Sequence, residues 1–199
     1  MEFQEVVRRR RMVRNYDPSR PVPTPVRDRL LANALRAPSA GFSQGWAFLV
    51  LEAESDRTRF WRATTDSTDD PDPWLRDMMT APLLIVPLSH KQAYLERYAA
   101  PDKGWTERDE ARWPVPYWDI DTGFAALLML LTAVDEELGA CFFGVPAGRL
   151  DAFRAEFGVP GEYMPIGCVS VGYRAPDRRS PSLRRGHRPV SEVVHHGSW

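Results

Sequence analysis

Arginine side chains are concentrated near the N-terminus of this sequence. Arg8 to Arg11 are consecutive, and Arg14 follows beside Tyr16. Four adjacent residues point around the whole circumference of a helix, so at least one of these guanidinium groups must face the body of the protein. Guanidinium groups bind phosphate oxygens bidentately, and without such an anion they would repel one another when buried. The cluster therefore predicts a phosphate site, with a solvated helix face as the alternative.

The overall charge limits what that cluster could bind. The chain has 199 residues, with 26 Lys+Arg against 27 Asp+Glu and a formal net charge of −1. Only Lys91 and Lys103 are lysines, so 26 minus 2 leaves 24 arginines. A general nucleic-acid surface is an alternative for the basic segments, but such domains are normally strongly basic. Local charge for a small anion is the better interpretation, and we predict no nucleic-acid partner.

Other reactive residues give weaker signals. Gly41 to Gly45, GFSQG, matches the G-x-S-x-G nucleophile elbow, but that motif needs a strand before the serine and a helix after it. Here a helix is predicted before and a strand after, so a serine hydrolase using Ser43 with His187 or His195 is a minor alternative. The histidines are not paired with Cys, Asp or Glu at ligand spacing on a helix, so we predict no metal site. Both cysteines lie in apolar runs and fit buried reduced thiols.

Hydrophobic periodicity and turn residues predict elements that would position these groups. Helices are expected over 2–11, 24–37, 55–63, 91–98, 120–138 and 147–157, and strands over 46–51, 82–88, 140–143 and 164–173. Four strands alternating with helices indicate one α/β or α+β domain over 1–199. The polar segment 102–118 carries several aromatic residues and is either a lid or internal packing.

The sequence predicts neither a membrane-spanning segment nor a secretory signal. The apolar run 124–134 is shorter than the roughly 20 residues that span a bilayer, so it predicts a buried core helix. The first residues lack the apolar core and cleavage site of a secretory signal. We therefore expect a cytoplasmic protein with no membrane partner.

Four segments spread over residues 10–195 match one set of motifs. Arg10–Tyr16 reads RRMVRNY, against R-R-S-x-R-x-F/Y, and Ala37–Trp46 reads APSAGFSQGW, against A-P-S-x-x-N-x-Q-P-W. Gly123–Gly144 follows G-x-A-A…L-G-x-C-W-x-G, and Arg185–His195, RGHRPVSEVVH, is similar to a basic tail ending in P-L-E-E-V-V-H. In this order the segments resemble the FMN-dependent nitroreductase family.

The resemblance implies a fold and a set of cofactor contacts. The fold would be α+β and nitroreductase-like, with three layers in which helices flank a mainly antiparallel central sheet. The protein would be a homodimer with its C-terminal tail extending onto the partner subunit and FMN at the interface. Pro38 to Ala40 would approach the flavin from the other subunit, and Arg185 and Arg188 would close on its phosphate. Carried over position by position, the FMN-binding residues are Arg10, Arg11, Met12, Arg14, Pro38, Ser39, Ala40, Phe143, Gly144, Val145, Arg185 and Arg188.

The implied activity is that of an FMN-dependent NAD(P)H oxidoreductase. Hydride would pass from the nicotinamide to flavin N5 and then to a small aromatic, quinone-like or nitro acceptor. Because the flavin performs the redox chemistry, no catalytic acid, base or nucleophile is assigned. Candidate substrate-binding residues are Phe42, Trp113, Tyr117 and Trp118.

Three departures from the family pattern keep a second function open. Met12 replaces a serine, Leu128 stands where many members have asparagine, and Ser43 with Gly45 alters the neighbourhood of the Q-P-W motif. These changes affect positions at or near the implied flavin site. The alternative is a flavin-binding or flavin-sequestering protein on the same fold without NAD(P)H turnover.

Overall fold

The computed structural model describes residues 1–105, 107–178 and 180–199. The α-helices are α1 (Phe3–Arg9), α2 (Thr24–Ala34), α3 (Glu54–Thr64), α4 (Pro73–Met78), α5 (Lys91–Tyr98), α6 (Tyr117–Asp135) and α7 (Leu150–Phe157). The strands are β1 (Trp46–Leu51), β2 (Leu83–His90), β3 (Gly139–Phe143), β4 (Tyr163–Pro165) and β5 (Cys168–Gly172).

The strands form one sheet in the order β1-β2-β5-β3, with β4 also paired to β2. Every pairing between these strands is antiparallel. In the register, Ile85 of β2 lies opposite Val50 of β1 and Val169 of β5. The expectation of a mainly antiparallel sheet is confirmed.

The alternating side chains of β2 explain the layers. Leu83 and Ile85 belong to a core with α2 and α6, whereas Leu84 and Val86 belong to a second core with α3, α4 and α7. Since successive residues of a strand point to opposite faces, helices cover both sides of the sheet. A strand buried on both faces favours apolar residues, and Leu83 to Leu88 are all apolar and buried. The predicted three-layer α+β fold is confirmed.

Helices α2 and α6, predicted over 24–37 and 120–138, differ from the prediction by about three residues at their ends, and two other parts of the fold differ in more than their bounds. The predicted strand 164–173 is two strands, separated at Ile166 and Gly167, because β4 pairs with the far end of β2 while β5 pairs with Leu83–Ile85 and with β3. Helix α4 was not predicted. Its N-terminal signal is present in the sequence, since the Asp72 side chain accepts a hydrogen bond from the Leu75 N–H at 2.7 Å and Pro73 follows the cap.

Helix α6 is the central helix of one layer. Of the helices in the described ranges, it alone is long and apolar enough to cross a membrane, and 56% of its apolar window is buried inside the protein. Ala125, Met129 and Ala133 are fully buried against α2 and the sheet, as expected for a core helix. On its outer face Phe124 is 42% and Leu127 44% exposed.

The segment after α1 runs along the outer edge of β3. Met12 forms a parallel bridge with Ala140, and the Val13 N–H donates to the Ala140 carbonyl at 2.9 Å. Further on, Tyr16 pairs with Arg174, just after β5. The backbone pairing therefore places the N-terminal arginines beside β3.

Candidate functional site

The two ends of the chain meet at Arg14. Its backbone N–H donates to Asp177 Oδ2 at 3.1 Å, and the Asn15 side chain donates to the Pro176 carbonyl at 2.8 Å. Arg14 and Arg178 line a cavity of about 250 Å³, and the wall is completed by Pro73, Trp74, Asp77, Asp177, Ser180 and Pro181. The structure thus brings the predicted Arg14 together with Arg178, a residue that the sequence analysis missed.

Two arginines and two carboxylates line the first cavity, namely Arg14, Arg178, Asp77 and Asp177. Further arginines lie near this edge of the sheet at Arg10, Arg11 and Arg174, but they do not line the cavity. None of these five arginines takes part in an ion pair between described residues. Burial, and then the charges of Arg11 and Arg9, lower the pKa of Arg174. Guanidinium groups without an ion-pair partner can bind a phosphate.

A second, larger cavity adjoins the first. It has a volume of about 350 Å³ and is lined by Phe143, Gly144 and Val145, together with Trp61 and Trp74. The rings of Trp61 and Phe143 are stacked, with centroids 5.5 Å apart and planes at 10°, and Trp74 meets Phe143 edge-on at 5.8 Å. Trp74 lines both cavities. A flat aromatic wall therefore lies next to a cavity with two guanidinium groups, an arrangement that suits a planar ring with a phosphate tail.

The last residue of β3, Phe143, and the two that follow it, Gly144 and Val145, are those predicted for the flavin ring, but two of the aromatic residues beside them were not predicted. Trp61 lies on α3, where only its spacing with Phe60 and Thr64 marks a buried helix face. Trp74 lies on the unpredicted α4. Their proximity to Phe143 depends on how helices pack on the sheet, which no local spacing reveals.

Met12 points toward the sheet. Its Sδ accepts a hydrogen bond from the Phe142 N–H at 3.4 Å, and its carbonyl accepts one from Arg14 Nη1 at 3.4 Å. Methionine in place of the family serine therefore fills space against β3. Met12 lines neither cavity, and the predicted Arg10 and Arg11 do not line them either.

Residues 38–44 lie apart from both cavities within one subunit. Ala37 belongs to the core between α2 and α6, on the face of the sheet opposite to Trp61 and Leu75. The Ala40 N–H donates to Asp121 Oδ2 on α6 at 2.7 Å, and Phe42 is 74% exposed. Pro38, Ser39 and Ala40 line neither cavity.

The aromatic residues of segment 102–118 form an internal cluster; Thr106 lies outside the described residues. The Trp113 ring lies 4.6 Å from Tyr98 and 6.2 Å from Trp118, measured between centroids. Trp118 is buried, whereas Tyr117 is 37% exposed. Packing against α5 and the start of α6 accounts for these contacts, and a role as a lid or substrate wall stays a prediction.

Residues 181–199, with Arg185 and Arg188, are exposed throughout. The Arg188 Nε lies 3.3 Å from Glu192 Oε2, and neither arginine lines the two cavities. Leu183 and Val190 are 70% and 72% exposed, which is unusual for large apolar side chains in a terminal segment. Contact of the tail with a second subunit stays a prediction.

The minor alternatives gain no support from the geometry. The Ser43 hydroxyl donates to the Ala40 carbonyl at 2.7 Å, and β1 follows the serine, which is the reverse of a nucleophile elbow. In the described ranges no three His, Cys, Asp or Glu side chains form a group suited to a metal ion. Cys141 and Cys168 are buried free thiols, as predicted, and burial raises the pKa of Cys141 to about 11.

Comparison with known proteins places this geometry in a family. A model of the nitroreductase family matches residues 7–173, which include the arginine segment, the 38–46 loop and the end of β3. The chain belongs to the nitroreductase family. The basic tail from Arg185 to His195 lies beyond the matched range.

Relatives and solved structures agree with this assignment. A curated relative from Methanothermobacter thermautotrophicus, provisionally named NADH dehydrogenase/NAD(P)H nitroreductase, is 25% identical over 201 residues, covering 100% of this chain and 88% of its own. A nitroreductase family protein from Clostridium difficile superposes with a TM-score of 0.75 at 24% identity, with full coverage of both chains. An FMN-dependent nitroreductase from the same species gives a TM-score of 0.68 at 21% identity, covering 98% of each chain. These structural similarities show that the chain has the nitroreductase fold.

Proposed function

We propose that this nitroreductase-family protein is an FMN-dependent NAD(P)H oxidoreductase. The observation that carries the proposal is the junction at Trp74 of a cavity lined by Arg14 and Arg178 and a cavity walled by stacked aromatic side chains. FMN has the matching shape and charge, a planar ring joined to a phosphate dianion. The provisional NAD(P)H nitroreductase name of the curated relative and the FMN-dependent name of one structural neighbour support the same reading.

The residues of the chain divide between the two parts of the cofactor. Arg14 and Arg178, with Arg10 and Arg11 at the same edge, would hold the phosphate through charge-assisted hydrogen bonds. Phe143 to Val145 would line the ring, and a Cβ at Gly144 would meet no atom within 4 Å, so the backbone there is open to a ligand. When bound, FMN supplies the two-electron redox chemistry.

The chain's part in the reaction is to bind and orient. A nicotinamide donor and a small aromatic, quinone-like or nitro acceptor would bind in turn against the aromatic wall, because hydride transfer needs reacting atoms about 3–3.5 Å apart. Apolar walls such as Trp74 exclude water from that contact. The proposal includes a cytoplasmic location, where free thiols such as Cys141 persist.

A homodimer is part of the same proposal. Phe124 and Leu127 form an exposed apolar surface on α6, and the tail after Pro181 exposes further apolar side chains. Pro38 to Ala40 do not reach the cavities of their own subunit. A second copy would cover the apolar surface and bring its own 38–40 loop to the flavin.

An anaerobic spectral titration tests the oxidoreductase activity. The purified full-length chain, incubated with FMN and desalted, should be yellow, lose its flavin absorbance with one equivalent of NADH or NADPH, and regain it when menadione or a nitroaromatic compound is added. A chain that remains colourless after incubation with excess FMN would contradict the proposal. Tight FMN binding without reduction by either nicotinamide would instead identify a flavin-sequestering protein.

A further inference from the structure

The loop between α2 and β1 has an unusual backbone. Phe42 and Gln44 adopt positive φ angles of 55° and 50°, and Gly41 adopts 62°. Non-glycine residues rarely take this conformation, because their Cβ atoms crowd the backbone. Such a conformation persists only where the surroundings hold it, and it often accompanies function. The groups that contact residues 38–44 must therefore hold the positive φ angles in place.

A buried carboxylate on α6 provides the main restraint. Asp121 is 3% exposed, and its Oδ2 accepts hydrogen bonds from the Ala40 N–H at 2.7 Å and from the Tyr94 hydroxyl at 2.8 Å. The Tyr94 hydroxyl also lies 3.3 Å from Ser39 Oγ, which accepts the Gln44 N–H at 2.8 Å. One carboxylate thus restrains both ends of the strained loop.

Two further contacts fix the middle of the loop. Arg97 Nε donates to the Gly41 carbonyl at 3.0 Å, and Asp102 binds the same guanidinium at 2.7 and 2.6 Å. The Tyr98 ring lies so close to Gly41 that a Cβ there would be 2.6 Å from Cε2. The loop is held rigidly, yet it exposes Phe42.

Asp121 itself lacks the usual partner of a buried carboxylate. It takes part in no ion pair between described residues, so only hydrogen bonds compensate its burial. Burial raises the pKa of Tyr94 above its ordinary value, so its hydroxyl remains protonated and keeps donating. A buried aspartate without an ion-pair partner does not favour core stability, so Asp121 has another role.

We propose that Asp121 is a positioning residue that fixes the 38–44 loop so that Phe42 and the Pro38–Ala40 edge close over the flavin and acceptor of a second subunit. The inference rests on the proposed function. Asp121 contacts neither cofactor nor substrate and acts through Ala40 and Tyr94. Loss of the restraint would let the loop leave its strained conformation, which would weaken flavin binding and acceptor binding together.

The test compares Asp121→Ala with Asp121→Asn in the full-length chain incubated with FMN. Asp121→Ala should raise the FMN Kd and the KM for menadione about tenfold or more, with a smaller change in kcat, since small misplacements at a site have large effects. Chymotrypsin should also cleave after Phe42 faster than in the wild type, as followed by mass spectrometry. Asp121→Asn keeps an oxygen for both donors and should restore all three readouts to within about threefold.

Tyr94→Phe and Tyr98→Phe form a matched pair that covers poor folding of Asp121→Ala. Tyr94→Phe removes a hydroxyl bound to Asp121 and should accelerate cleavage after Phe42, whereas Tyr98→Phe should behave as wild type. The proposal is overturned if Asp121→Ala or Tyr94→Phe lowers Tm but leaves FMN Kd, menadione KM and cleavage unchanged. If the wild type binds no FMN, the proposed function fails, and the cleavage rates still decide whether Asp121 restrains the loop.

Discussion

At the level of single residues, a few of the 24 arginines differ from the others in where they lie. Many arginines form ion pairs at the surface, such as Arg59 with Glu156 and Arg27 with Asp28. Such exposed pairs contribute little to stability. Arg14 and Arg178 differ because they line a cavity and take part in no ion pair between described residues. Asp77 and Asp177 line the same cavity without forming an ion pair with them, and a phosphate is the partner that we propose for the two guanidinium groups.

Arg14→Ala should weaken FMN binding strongly with little loss of stability. A hydrogen bond to a charged group contributes about 1.5–3 kcal/mol, which corresponds to a roughly 10- to 100-fold higher Kd. Quenching of FMN fluorescence measures that change directly. Arg62→Ala is the control, since Arg62 is exposed and lines neither cavity. Equal FMN affinity in Arg14→Ala and wild type would exclude Arg14 from the phosphate site.

Site residues could be predicted from the sequence where they belong to a recognisable motif. Arg14 and Phe143 belong to such motifs, and the structure brings both to the two adjoining cavities. Arg178 and Trp61 were missed because their proximity arises from backbone pairing and helix packing between distant segments. The contacts of Arg185 with a phosphate depend on where the tail lies in an assembly, which one chain does not determine.

At the level of elements, the sheet positions both halves of the candidate site. Parallel pairing of the Met12–Val13 segment with β3 places Arg14 toward the Phe143 end of the strand, and apolar β2 is covered by helices on both faces. The strand 46–51 and the helix 91–98 were predicted with their observed bounds, because strong apolar patterns and turn residues mark their ends. The division of the predicted strand 164–173 at Gly167 was not predicted. It arises because β4 pairs with β2 whereas β5 also pairs with β3, and local sequence does not specify these partners.

Gly45 shows how the 38–44 loop depends on its neighbours. A Cβ at this buried position would lie 2.6 Å from Tyr94 Cε2 and 2.7 Å from the His90 carbonyl. Glycine therefore allows the loop to approach Tyr94 and the end of β2. The same close approach explains why this chain departs from the proline of the family pattern without losing the loop.

Gly45→Ala should destabilise the protein by about 1–3 kcal/mol, because the backbone carbonyl of His90 cannot move away as a flexible side chain would. Urea unfolding followed by circular dichroism gives the free energy of unfolding. Gly148→Ala is the matched control, since a Cβ there meets no atom within 4 Å. Similar unfolding free energies for the two variants would show that Tyr94 and His90 yield easily, and the restraint on the loop would then be weak.

At the level of the whole molecule, several of the exposed apolar side chains lie on three parts of the chain. The chain is nearly neutral at −1, so the arginines at the edge of β3 are a local feature balanced elsewhere. Phe3 and Val7 are exposed on α1, Phe124 and Leu127 on α6, and Val190 and Val193 on the tail. In the proposed homodimer, a second copy would cover apolar surface of this kind and bring its own Pro38–Ala40 to the proposed flavin site.

Leu127→Arg tests the assembly and the cofactor site together. A charge buried in a subunit interface is costly, so the variant should be monomeric at concentrations where the wild type is a dimer in sedimentation velocity. Its FMN Kd should rise about tenfold or more, because a monomer lacks the partner's 38–44 loop. Ala152→Arg adds the same charge on α7, across the sheet from α6, and should leave both quantities unchanged. A wild-type monomer that binds FMN tightly would show that the flavin site is built within one subunit and that the 38–44 loop serves only its own chain. A dimeric Leu127→Arg variant would show instead that this face of α6 is not the dimer interface.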